Sequence, residues 1–162
     1  LGIYAGRTQK TFAQFQKNIQ KAGLKDLVKP LKMTSHLATQ KINQPIKLLF
    51  IDGNHSYQHV KQDFLDWSPK LKDGGIIAFH DTISWPGPKK LVLKQLYHSK
   101  NYKNIKLLGS ITYAQKTPSA SVLDLLKNRY ALLLRHLRNL ANLLPLSPTL
   151  RLLAKQIFQK IQ

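Results

Sequence analysis

The chain has no cysteine and no glutamate, a single methionine, and only seven acidic residues, all aspartate. Without cysteine there are no disulfides, no thiolate metal sites and no cysteine nucleophile, and the redox compartment stays undetermined. No apolar stretch reaches about 18 residues and no signal-peptide pattern is visible, so a membrane-spanning helix is not expected. The expected location is the cytoplasm, or the periphery of a membrane.

What is present in excess is positive charge. Lys and Arg number 26 against the seven acids, a formal net charge of +19. Such a balance favours polyanionic partners: nucleic acid, anionic lipid or phosphorylated substrates. It is also what a lysine-rich solvated surface would give. At 43% hydrophobic and 9% aromatic the 162 residues are globular in composition, enough for one domain with a core plus an appendage.

Periodicity sets out the elements. Phe12, Phe15, Ile19 and Ala22 recur at helical spacing over residues 11–22, and Gly23 ends the pattern. LVKPLKM (27–33) is a short strand candidate despite Pro30, and 35–42 a short helix. IKLLFI (46–51) is a near-continuous apolar run, which predicts a strand covered on both faces. Residues 57–71 carry Val60, Phe64, Trp67 and Leu71 on one helical face. Asp73-Gly74-Gly75 reads as a turn, GIIAFH (75–80) as the next buried strand, and Trp85-Pro86-Gly87-Pro88 as a loop. A helix over 91–97 and an antiparallel pair, 105–109 with 111–115, complete an α/β order with a mainly parallel sheet.

The texture changes near residue 118, which predicts an α/β domain over 1–117 and a basic, leucine-rich helical tail over 118–162. Leu133, Leu137, Leu140 and Leu144 form a stripe with Arg135 and Arg138 off it. A second helix is expected from Ser147-Pro148, with Leu150, Leu153, Ala154, Ile157 and Ile161 on one face and Arg151, Lys155 and Gln159 opposite. A basic amphipathic pair can lie on an anionic membrane. Packing on the chain's own domain or on a second subunit, as a homo-oligomer, is the commoner use of such a stripe.

Chemistry concentrates at two strand ends. One supplies Asp52, Gly53, Asn54 and His55, the other His80, Asp81 and Thr82. Ligands of open α/β sheets sit in the crevice at the carboxyl ends of strands, so neighbouring strands would bring both carboxylates and both imidazoles together. Each Asp alone could be no more than a turn former or helix cap. His36, His59, His98 and His136 read as surface or packing residues, Phe64 and Trp67 as core, and Asp63 and Asp66 as solvated or paired with lysine.

The run IKLLFIDGNHSYQHVKQDFLDWSPKLKDGGIIAFHDT resembles the second half of class I S-adenosylmethionine-dependent methyltransferases. It is most similar to the branch called methyltransferase family 24, with its strand, DG-x-HSY, tryptophan helix, GG and FHDT in order, over roughly residues 10 to 100. Asn54 stands where that family usually has a second Asp.

The resemblance implies a Rossmann-like class I sheet, S-adenosylmethionine as cofactor and a small-molecule acceptor, with O-methylation as the reaction. It places Asp52 beside the methyl-transfer centre and Asp81 at a second metal-ligand position, so Asp52 and Asp81 would hold Mg²⁺. His55 and His80 become candidate bases. Ser35, Asp52, Gly53 and His55 become candidate cofactor contacts. Thr82 stands where some relatives carry Asn or Asp, and Met33 and Thr34 replace a usual Gly-Asp. The opening strand, glycine-rich turn and second strand of such folds are not found, so the sheet is expected to be incomplete at the N-terminus and the chain alone a poor binder of S-adenosylmethionine.

Two other classes compete. Gly53-Asn54-His55 echoes the GNH signature of metallophosphoesterases, but Ser56 follows where Asp or Glu is usual and the upstream metal motifs are missing. A non-catalytic basic module for nucleic acid or a membrane surface would use the +19 charge directly. No nucleic-acid motif is present and the basic residues are spread along the chain, which argues against nucleic acid.

Overall fold

The computed structural model describes residues 2–143, together with 147, 149, 150, 152, 153 and 156. Leu144, Pro148, Arg151, Ala154, Lys155, Ile157, Gln159 and Ile161, which complete the two expected tail faces, lie outside the described residues. The chain divides into two compact units, Leu1–Thr34 and Ser35–Gln162.

The first unit holds helix α1 (Gly2–Lys21). Its end is closed by Gly23 at φ 67°, with Leu24 N donating to Ile19 O at 3.0 Å and Gly23 N to Gln20 O at 3.1 Å. Those bonds satisfy carbonyls that the helix end leaves open, and the left-handed turn suits glycine. The strand expected over 27–33 is not formed; the segment runs as turns and irregular backbone. Pro30 removes a ladder donor there.

In the second unit the order is α2 (Ser35–Thr39), β1 (Ile46–Ile51), α3 (Tyr57–Trp67), a 3₁₀ turn (Ser68–Lys70), β2 (Leu71–Phe79), α4 (Pro86–Gln95), β3 (Tyr102–Leu108), β4 (Ile111–Lys116) and α5 (Val122–Leu143). The sheet order is β1-β2-β4-β3. β1 and β2 are parallel; β2–β4 and β4–β3 are antiparallel. This is a mixed α/β sheet: the antiparallel hairpin at one edge is as expected from the two short runs around Ser110, but only one of the three pairings is parallel, so the described sheet is not the mainly parallel one expected.

The register between β1 and β2 jumps: Ile46 faces Leu71, yet Leu48 faces Ile76. The extra residues, Lys72 to Gly75, bow out through Gly74 at φ 78°. The expected turn at Asp73-Gly74-Gly75 is therefore a bulge inside the strand span. The expected loop at Pro86–Pro88 is instead the first turn of α4, where a fixed φ and a missing N–H suit proline.

Leu49, Ile51, Ile77, Phe79 and Ala114 put one face of the sheet into the core, against Val60 and Phe64 of α3 and Leu91 and Val92 of α4. Burying each such side chain stabilises the fold by about 1.5–3 kcal/mol. The two-faced burial expected of β1 is not observed. Leu48 and Phe50 point to the opposite face and are 65% and 50% exposed. Trp67 is only half-buried against the core.

Helix α5 begins with a reciprocal cap. Ser121 Oγ accepts from Asp124 N at 3.1 Å, and the Asp124 carboxylate accepts from Ser121 N at 3.1 Å and from Ser121 Oγ at 2.8 Å. These bonds hold the Asp124 carboxyl below its ordinary pKa. The helix packs on β3, and Asn128 donates to Tyr102 O at 2.8 Å. No helix among the described residues is long and apolar enough to cross a membrane.

Candidate active site

Parallel pairing of β1 and β2 brings their carboxyl ends side by side, with His80 N donating to Ile51 O at 3.0 Å. Four of the expected site residues converge there. His80 Nδ1 stands 3.3 Å from Asp52 Oδ1 and 3.3 Å from Asp81 Oδ2. The same Asp81 oxygen is 3.0 Å from His55 Nε2. All four side chains keep partial access to solvent, from 24% for Asp81 to 43% for Asp52. A ligand can therefore reach them while both imidazoles stay within ion-pair distance of a carboxylate.

The local sequence explains the placement. Asn54 Oδ1 accepts from Ser56 N at 2.8 Å, folding the segment after Gly53 into a turn. Ser56 caps α3, its hydroxyl accepting from His59 N at 3.3 Å and lying 2.6 Å from His59 Nδ1. Asn54 and Ser56 thus shape the backbone that presents His55. The GNH echo of a two-metal phosphoesterase is a turn followed by a helix cap.

His55 is wedged from above and behind. Its ring stacks on Trp85 with centroids 4.5 Å apart and planes 16° from parallel. Behind it, Gly87 of α4 sits against the backbone of residues 55–57. A Cβ on Gly87 would stand 2.0 Å from His55 O and 2.8 Å from Tyr57 N. Only glycine allows this approach.

Asp81 is held in an unusual conformation. Its φ is 55°, a left-handed backbone that costs a non-glycine residue roughly 1–2 kcal/mol. The next residue anchors it. Thr82 is fully buried; its N and Oγ1 both donate to Ser110 O at 3.0 Å, and its hydroxyl lies 2.6 Å from Thr112 Oγ1. Thr82 is therefore turned into the core and offers no ligand to the crevice.

Behind Thr82 stands Arg135 of α5, only 1% exposed. It donates to Thr82 O and, at 3.0 Å, to Thr112 Oγ1, with its guanidinium 5.9 Å from the Tyr97 ring centroid. Arg135 lies off the leucine stripe, as its spacing indicates, and is a buried cation. Among the described residues no carboxylate lies within ion-pair distance of it. Burying a charge costs several kcal/mol, so the bonds to Thr82 and Thr112 offset a real penalty. Its neighbour Arg138 is pushed below its ordinary pKa, first by burial and then by the Arg135 charge.

Three contributors escaped the sequence reading: Trp85, Arg135 and Ser110, whose Oγ is 3.2 Å from His80 Nε2. Trp85 beside two prolines was the one local hint. Ser110 and Arg135 lie 30 and 53 residues from their partners His80 and Thr82, and no local pattern links them.

Ser35 stands apart from the cluster. Its hydroxyl accepts from Trp67 Nε1 at 2.8 Å, at the last residue of α3, whereas His55 precedes the first. Eleven helical residues span about 16 Å. Ser35 is thus set apart from Gly53 and His55 by the length of α3. Asp66, which directly precedes Trp67, accepts from Gln62 and lies 3.0 Å from His36 Nδ1, so its partner is an imidazole and not a lysine.

A divalent cation fits the cluster. Ligand atoms of Asp52, His80 and Asp81 lie within 4.8 Å of one another. Donors 2.0–2.6 Å from one ion are up to roughly 4–5 Å apart. Two carboxylates and an imidazole make a mixed oxygen–nitrogen set, suited to Mn²⁺ or Fe²⁺ as well as Mg²⁺. His80 joins the two expected ligands as a third.

Residues 3–82 match the family model described as a methyltransferase domain. That segment, just under half of the chain, is methyltransferase-like. A 37-residue stretch is 49% identical to the uncharacterized protein y4gI of Sinorhizobium fredii (strain NBRC 101917 / NGR234), covering 23% of this chain and 4% of that protein. Among solved structures, the MycE methyltransferase from the mycinamycin biosynthetic pathway, in complex with Mg and SAH, is similar over 51% of this chain and 28% of its own, at 20% identity and a TM-score of 0.40. A second crystal form of MycE aligns over 57% of this chain and 34% of its own, at 16% identity and a TM-score of 0.39. The chain thus spans about a third or less of each of these proteins.

Proposed function

We propose that this chain carries the acceptor-activating site of a S-adenosylmethionine-dependent O-methyltransferase acting on a hydroxyl of a small molecule or sugar. The observation that carries the reading is the convergence of Asp52, His80 and Asp81, with His55 alongside, at the carboxyl ends of two parallel strands. The family match over residues 3–82 supplies the reaction class.

A hydroxyl is a poor nucleophile until its proton is removed or its pKa lowered. A divalent ion held by Asp52, His80 and Asp81 would supply Lewis acidity to an acceptor oxygen. The rest falls to the side chains. Asp81 Oδ2, 3.0 Å from His55 Nε2, stands close enough to stabilise the imidazolium that forms when the ring takes the acceptor proton. Trp85 fixes the plane of the ring, and its indole, 49% exposed, offers a surface on which a sugar or flat acceptor can rest.

The test is transfer of label from S-[methyl-³H]adenosylmethionine to a panel of glycosides and phenols in the presence of Mn²⁺ or Mg²⁺. The reading expects O-methyl product that falls by about a hundredfold or more in His55→Gln, the usual range for a lost general base. Transfer that His55→Gln leaves intact, or no transfer to any hydroxyl acceptor at S-adenosylmethionine concentrations that saturate a weak site, would overturn it.

A further inference from the structure

Helix α5 has apolar residues on both sides: Leu134, at 6% exposure, with Ala131 and Leu132 packs inward beside two polar residues, and a second apolar face looks out. Its polar Asn128 and Arg135 face the sheet, each 1% exposed. Its outer face carries Leu126, Tyr130, Leu133, Leu137 and Leu140, at alternating gaps of four and three residues and between 44% and 61% exposed. Val122 and Leu123 extend the same face by one turn, at 75% and 60%. In water the face of a helix turned away from the core is usually polar. An apolar face of this length on an otherwise charged molecule marks a contact surface.

We propose that this face docks on an anionic lipid bilayer, with α5 lying in the interfacial plane, leucines toward the acyl chains and basic residues among the headgroups. Charge complementarity selects the occupant. At about 100° per residue, Arg129 and His136 fall along one flank of the stripe and Lys127 along the other, all exposed. Asp124 is the helix's one acid and is held in the cap at its first turn. The chain as a whole carries +19. A second copy would set one such charge against another, whereas an anionic leaflet attracts each basic residue near its surface. Residues 126–140 run about 21 Å, long enough to lie on a bilayer. No described helix is built to cross one. The inference does not depend on the catalytic reading, since it uses no residue of the Asp52–His80 cluster.

The experiment is co-sedimentation of the full chain with vesicles of phosphatidylcholine alone and with phosphatidylglycerol as about a third of the lipid. Binding to the anionic vesicles, little to the neutral ones, and release by high salt are expected. Leu133→Ser with Leu137→Ser exposes nothing new and should lower partitioning by about tenfold or more, since several methylene groups leave the bilayer. Unchanged circular dichroism confirms that the variant folds; if it does not, Leu140→Ser alone carries the comparison. Equal binding to both vesicle types, or no binding to either, would overturn the proposal. So would a wild-type dimer in sedimentation equilibrium that the double variant turns to monomer, because the face would then belong to a second copy.

Discussion

Replacing Gly87 by alanine sets two physical effects against each other, and their sizes decide the outcome. Alanine is favoured over glycine within a helix by up to about 1 kcal/mol. Against that, the new Cβ would sit 2.0 Å from His55 O, where ordinary contact begins at 3.4 Å. The gap to make up is roughly 1.4 Å, and the atoms on both sides are backbone, so no flexible side chain can yield. Overpacking of this kind costs typically 1–3 kcal/mol. The net expectation is a loss of about 1 kcal/mol, or a Tm lower by roughly 2–4 °C for a chain of this size. Because α4 would be pushed from residues 55–57, the Trp85 stack on His55 should loosen as well. Thermal unfolding followed by circular dichroism gives the first number, and tryptophan emission reports the second. A Gly87→Ala chain that melts at or above the wild-type temperature would refute the close approach of α4 to the site.

Arg135→Ala should cost about 3 kcal/mol in urea denaturation, because the buried Thr82 carbonyl and Thr112 hydroxyl lose their donor and a cavity opens. Arg135→Met, which keeps the volume without the charge, should recover part of that loss; an alanine variant as stable as wild type would contradict the clamp. Acid should weaken the start of α5. The Asp124 carboxyl is held below its ordinary pKa, so its contribution is complete above that value and fades as pH falls through the lowered one. Asp124→Asn should flatten this acid limb in a pH series of helix content, and an unchanged limb would count against the cap.

The two parallel strands were readable because IKLLFI and GIIAFH are continuous apolar runs that end at Asp52 and at His80-Asp81. The hairpin and α3 were readable from turn residues and from helical spacing. What the local pattern could not show was which face would be covered. Leu48 and Phe50 have the composition of a doubly buried strand, yet they remain exposed, because burial depends on what packs across the sheet and not on the strand itself. Helix α5 makes the same point in reverse. Its leucines suggested the inward face, but Thr82 and Thr112 offered Arg135 hydrogen bonds that only the folded sheet assembles. At the site, Asp52, His55, His80 and Asp81 could be grouped because strand ends of one sheet share a crevice. Ser35 was carried into that group by resemblance alone, and its hydroxyl is bonded at the far end of α3.

The claim that Asp52, His80 and Asp81 form one cation site is tested most directly by electron paramagnetic resonance titration of the chain with Mn²⁺. One bound ion per chain is predicted, displaced by Mg²⁺, with affinity rising with pH because the ion binds the neutral imidazole and its proton is released to solvent. Asp52→Asn and Asp81→Asn should each weaken it by about tenfold or more. Mn²⁺ signals that are the same in wild type and both variants would contradict the account.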